Sequence, residues 1–88
     1  MNAYILYREY FSVESPLECL VELINELGIS KVDVILPEET FEYHGIDSLD
    51  FYTLLIAIED RWQINIPEEA TRDIVLLTDL ATLIEKLS

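Results

Sequence analysis

Apolar positions along the chain form three helical stripes, separated by one long and one short interruption. Leu17, Leu20, Val21, Ile24 and Leu27 recur at i, i+3, i+4, i+7 and i+10, a period that puts them on one face of a helix. Start and stop signals bracket that stripe. Ser15 is placed as N-cap, Pro16 as the first helical residue, Glu18 as the N3 carboxylate of a capping box, and Gly28 as a left-handed terminator. The second stripe, Phe51, Leu54, Leu55, Ile58 and Trp62, predicts a helix from about Leu49 to Trp62. The third, Leu77, Leu80, Ala81, Ile84 and Leu87, predicts a last helix with Thr78 or Asp79 near its start and Lys86 near its end.

The second helix carries more apolar residues than one buried face requires. Leu49, Tyr52 and Ile56 lie on its far side at i, i+3, i+7, among Asp50, Thr53, Glu59, Asp60 and Arg61. Three aligned apolar residues form a patch, which predicts a partner surface unless another segment covers it. The covering candidate is the aromatic N-terminus. There Tyr4, Tyr7 and Phe11 would align on a helix face, while Tyr4, Leu6 and Arg8 could equally alternate along a strand.

The interruptions read as loops. Val32, Val34, Ile35 and Leu36 resemble a short strand, but Pro37 ends the run and no second strand is present to pair with it. Residues 29–47 are therefore expected to form one long loop pinned by Ile35 and Phe41, with Glu38, Glu39 and Glu42 in water. In Gln63-Ile64-Asn65-Ile66-Pro67 the two isoleucines are expected to turn inward, and Pro67 to open a short helical turn over Glu68, Glu69 and Ala70. The expected fold is all-α: a small bundle of three main helices and one short helix, with a long loop between the first two main helices. Residues 1–14 form an N-terminal extension and residues 15–88 the domain.

Composition narrows the partners. The 88 residues suffice for one small core, burying roughly 60–65% of the unfolded surface. Eighteen acidic residues against five basic ones give a net charge of -13, which repels nucleic acid and anionic membrane and attracts proteins with basic patches. Mimicry of DNA and simple solubility are competing uses of such a surface. The single cysteine, Cys19, excludes an intrachain disulfide and suits a reducing compartment. No apolar run approaches the length of a membrane span, and Arg8 and Glu9 break the N-terminal stretch, so the chain is expected to be cytoplasmic and monomeric.

Candidate chemistry converges on Gly45-Ile46-Asp47-Ser48-Leu49-Asp50. A glycine turn delivers a serine to a helix start, where free backbone N–H groups and the helix dipole favour an anion. No metal-ligand spacing is present, and the second glycine of a Gly-x-Ser-x-Gly elbow is missing. A nucleophile pair of Ser48 with His44, the one histidine, is not expected in so small a domain. Pattern alone leaves Ser48 as either a helix cap or a residue that another enzyme modifies.

This stretch resembles the Gly-x-Asp-Ser-Leu motif of acyl carrier proteins. The similarity continues through Pro37 to Phe41 and Glu42, the Leu54, Ala57, Ile58, Glu59, Trp62 pattern, the Ile64-Asn65-Ile66-Pro67-Glu68-Glu69 connector, and Ile74, Leu77 and Asp79. The resemblance implies a non-catalytic carrier whose Ser48 is esterified with 4′-phosphopantetheine from coenzyme A by a phosphopantetheinyl transferase and its Mg²⁺. Acyl groups would then travel as thioesters on that arm. It also implies that Asp47 helps position the modifying enzyme, and that Leu49, Asp50, Tyr52, Ile56, Glu59 and Asp60 meet acyl-loading and acyl-processing enzymes with basic docking patches. The chain departs from the family at Tyr43-His44, where Asp-Leu is usual, and at Thr53 and Arg61, commonly acidic positions. These departures point to a specialised set of partners. The remaining alternatives are an adaptor that keeps the carrier fold and works through its second helix alone, and an aminoacyl or peptidyl carrier.

Overall fold

The computed structural model describes residues 15–88. The expectations for Tyr4, Leu6, Tyr7, Arg8 and Phe11 lie outside the described residues. Among the described residues there are three α-helices, α1 (Pro16–Leu27), α2 (Ser48–Trp62) and α3 (Leu77–Leu87), with a short 3₁₀ helix, Glu68–Thr71, between α2 and α3. The all-α bundle with one long loop is thus observed.

At α1 the Ser15, Pro16 and Gly28 signals act where the sequence places them. The Ser15 hydroxyl accepts the amide of Glu18 at 3.2 Å, and Pro16 follows as the first helical residue. Gly28 takes the left-handed conformation (φ 66°), and its amide reaches the carbonyls of Ile24 and Asn25. Helix α3 starts differently. Leu76 has no side chain able to cap, so the Asp79 carboxylate reaches back to the amides of Leu76 (2.9 Å) and Val75 (3.1 Å). Helix α2 ends on Gln63 in the left-handed region (φ 54°), with its amide on the Glu59 carbonyl. No glycine announces that stop.

The core is built from Leu20, Leu23 and Ile24 of α1, Leu54 and Ile58 of α2, and Leu77, Leu80, Ala81 and Ile84 of α3. Phe51, Leu55, Trp62, Ile64 and Ile66 pack around it as expected. One stripe is rotated. Val21 is only half-buried while Leu23 lies in the core, because α1 packs on both α3 and α2 and turns the Leu20–Leu23–Ile24 side toward them.

The 29–47 loop folds back on itself. Ile29, Phe41 and Ile46 are buried, and Ile35 packs at the margin of the core. Phe41 and Ile35 are the expected anchors; Ile29 and Ile46 are additional ones. Thr40 forms an isolated antiparallel bridge with Leu76, and the Phe41 amide donates to the Val75 carbonyl. The Pro37 carbonyl accepts the Thr78 amide, which satisfies one of the orphan donors at the start of α3. His44 binds the loop from inside. Its side chain is fully buried, Nε2 accepts the Leu36 amide at 2.9 Å, and Nδ1 donates to the Thr40 carbonyl at 2.7 Å. Those partners require the neutral tautomer with its proton on Nδ1.

Candidate functional site

Ser48 is positioned by the three residues before it. Gly45 takes φ 73°, a left-handed turn that an L side chain resists, and its amide closes on the Glu42 carbonyl. Ile46 is then buried in the core, with its amide on the Phe41 carbonyl, which fixes the direction of the chain. Asp47 follows in extended conformation as the N-cap of α2, with Oδ1 accepting the Asp50 amide at 2.8 Å. Ser48 is therefore the first helical residue, one position earlier than the expected start at Leu49.

This arrangement bears on one of the two roles open to Ser48, that of a helix cap. Capping is done by Asp47, so the serine hydroxyl is not needed for it. Ser48 is exposed at the positive end of the α2 dipole. It is not paired with His44, whose ring nitrogens are both engaged by the loop. A primary hydroxyl in that place suits a phosphate ester: it is accessible, and the developing anion lies at a helix N-terminus. Beside it opens a groove of about 320 Å³ whose walls include Phe41, Ile46, Phe51, Ile74 and Val75. Phe41 and Phe51 stack there with ring centroids 4.9 Å apart and planes 12° from parallel.

The far side of α2 carries the expected apolar stripe in the open. Leu49 is 74% exposed, Tyr52 63% and Ile56 53%, values that make it a surface feature. Tyr52 and Ile56 border a second groove of about 560 Å³, which Ile66, Glu68 and Thr71 also line. The acidic neighbours differ in availability. Asp60 is exposed. Glu59 is half-buried and one oxygen accepts the Ile66 amide at 2.8 Å, so it also ties the connector to α2. Asp50 is partly buried beside the Lys31 ammonium, 3.8 Å away. Arg61 reaches across to Glu26 of α1 at 3.6 Å.

Two residues around the site escaped the sequence reading. His44 stands out in the sequence as a candidate nucleophile's partner and as a departure from the family's usual Leu, but neither reading places it inside the loop; a polar residue at an otherwise apolar family position is the signal that it is buried and satisfied. Lys31 gave no periodic signal, because its role depends on the loop meeting Gly45. Among the described residues no group of three or more His, Cys, Asp and Glu side chains could hold a metal ion, and no helix is long and apolar enough to cross a membrane.

Comparison with known proteins fits this geometry. A family model described as the phosphopantetheine attachment site matches residues 20–85. The acyl carrier protein of Campylobacter concisus is 31% identical over 65 residues, spanning 74% of this chain and 84% of that one. That of Thermobifida fusca is 27% identical over 77 residues, covering 86% and 98% respectively. The crystal structure of an acyl carrier protein from Thermotoga maritima superposes with a TM-score of 0.69 at 28% identity, over 78% of this chain and 81% of that one. With the matched region enclosing the Ser48 turn and all of α2, the chain belongs to the acyl carrier protein family, whose members carry a covalent 4′-phosphopantetheine and serve enzymes as carriers without being catalysts themselves.

Proposed function

We propose that Ser48 is the attachment point of the 4′-phosphopantetheine and that the protein shuttles acyl groups as thioesters among a specialised set of cytoplasmic enzymes. The observation that carries this reading is the division of labour at the helix start: Asp47 caps α2, and Ser48 keeps an exposed hydroxyl at its positive end. Attachment forms a bond from Ser48 Oγ to phosphorus. The pyrophosphate link of coenzyme A breaks, the nucleotide half leaves, and a base on the transferase takes the hydroxyl proton. The arm supplies a terminal thiol for thioester chemistry. This chain's part is to hold the hydroxyl outward, to keep Asp47 beside it for the modifying enzyme, and to present a docking face.

That face is Leu49, Tyr52 and Ile56, with Asp60 and the remaining acids of α2 around it. Exposed apolar side chains supply close contact, and the net charge of -13 steers basic enzymes from a distance. Specialisation is supported by Tyr43-His44, Thr53 and Arg61. His44 braces the loop before the serine through Leu36 and Thr40, and Thr53 and Arg61 lower the acidity of α2. Residues 15–88 form the carrier domain in this reading, and residues 1–14 are an extension to it.

Incubation with coenzyme A and a broad-specificity phosphopantetheinyl transferase, followed by intact mass, tests the attachment. The wild type gains one phosphopantetheinyl group and Ser48→Ala gains none. A folded wild type that stays unmodified would falsify the proposal. Tyr52→Ala and Ile56→Ala are expected to leave the hydroxyl in place and weaken binding of the acyl-processing enzymes that the modified protein serves.

A further inference from the structure

Of the five basic residues in the chain, Arg8 lies outside the described part, which leaves Lys31, Arg61, Arg72 and Lys86. Arg61 closes the far end of α2, Arg72 follows the 3₁₀ helix, and Lys86 stands in the last turn of α3. Lys31 alone of these is seated against the turn that delivers Ser48. Its amide donates to the His44 carbonyl at 2.8 Å. Its Cβ and Cγ lie 2.8 and 2.5 Å from where a Cβ on Gly45 would stand, so the stem runs directly over the glycine. The ammonium donates to the Ile29 carbonyl at 3.1 Å and lies 3.8 Å from Asp50 Oδ2. The side chain, 64% exposed, is thus held by three contacts, with Gly45, the Ile29 carbonyl and Asp50, and its charge stands next to the third residue of α2.

We propose that Lys31 is a specificity determinant for the enzymes that dock beside Ser48. Its ammonium stands 3.8 Å from Asp50, so an incoming enzyme meets an ion pair of no net charge near the hydroxyl, on a surface that is otherwise strongly acidic. Enzymes that rely on a basic side chain against Asp50 are disfavoured. Those that set a carboxylate or an amide opposite Lys31 are favoured, because they gain the ammonium as a donor while their remaining basic groups still meet the acidic surface. This inference rests on Ser48 being the modified residue.

The test compares kcat and KM for transfer from coenzyme A by a transferase with a basic docking face, using wild type and Lys31→Met, Lys31→Arg and Arg72→Met. Lys31→Met is expected to raise kcat/KM about three- to fivefold at low salt, the scale of one exposed ion pair. The gain lies in KM with kcat unchanged, and it fades as ionic strength screens the exposed charges. Lys31→Arg keeps the cation and stays near wild type. Arg72→Met removes the same net charge elsewhere and yields less than half the gain. If circular dichroism shows Lys31→Met to be unfolded, Lys31→Gln carries the same comparison. An unchanged KM, or an equal gain from Arg72→Met, overturns the role of Lys31 while leaving the attachment site standing. Absence of any transfer to folded wild type overturns the attachment reading, and this one with it.

Discussion

Replacing His44 by leucine removes two hydrogen bonds while nearly conserving side-chain volume. The fully buried ring accepts the Leu36 amide at 2.9 Å and donates to the Thr40 carbonyl at 2.7 Å; leucine can do neither. An orphaned buried polar group costs about 1–3 kcal/mol. Leu36 and Thr40 are themselves partly open to water, so the low end applies, about 1 kcal/mol each and about 2 kcal/mol together. The leucine gains up to about 1 kcal/mol from burying a more apolar side chain. The net expectation is a loss of about 1–2 kcal/mol, rising to about 3 kcal/mol or more for His44→Ala, which adds a cavity. Urea unfolding at neutral pH followed by circular dichroism reads this directly: with a slope near 1 kcal/mol per molar, the His44→Leu midpoint falls by about 1–2 M. Amide exchange at Leu36 should accelerate more than exchange within α1. A His44→Leu midpoint equal to or above that of wild type would refute the reasoning, since the two ring bonds would then contribute no net stability and the histidine would be a space filler.

Other outcomes follow from the same geometry. Gly28→Ala should cost about 1 kcal/mol, the penalty for a left-handed residue with a side chain, because the space beside it is open. Gly45→Ala should cost at least about 2 kcal/mol, since the same penalty is joined by collision with the Lys31 stem, and the proposed modification of Ser48 should slow as its turn shifts. Equal melting temperatures for the two variants would contradict the Lys31 contact. Asp79 is held below its ordinary value of 3.8, first by the Leu76 amide and then by the Val75 amide. A depressed carboxylate contributes stability that is complete above its unfolded value and lost as pH falls through the lower folded value. Asp79→Asn should therefore melt below wild type at neutral pH and approach it in acid, and thermal melts at both pH values check the convergence.

How legible this protein is from its sequence varies with the range of the interaction involved. Helix α1 could be read almost complete, since its cap at Ser15, its proline start and its Gly28 stop are all set by neighbours within one turn. The surplus stripe Leu49, Tyr52, Ile56 could be read for the same reason, as helical period alone decides which side chains share a face. Motif resemblance then singled out Ser48, but its freedom from capping duty became visible only when the backbone showed Asp47 at the cap. The loop was the opaque part. Val34 and Leu36, apolar enough to suggest a strand, stand in the open, while Ile29, Ile46 and a histidine go inside. That choice depends on contacts between residues far apart in the chain: Phe41 with Val75, Pro37 with Thr78, His44 with Leu36, Lys31 with Gly45. Local propensity carries no information about such pairings. Short-range pattern thus sets the helices and the exposed stripe of α2 and points to the serine, whereas tertiary packing decides how α1 turns toward its neighbours, which loop residues hold that serine outward and which charge stands beside it.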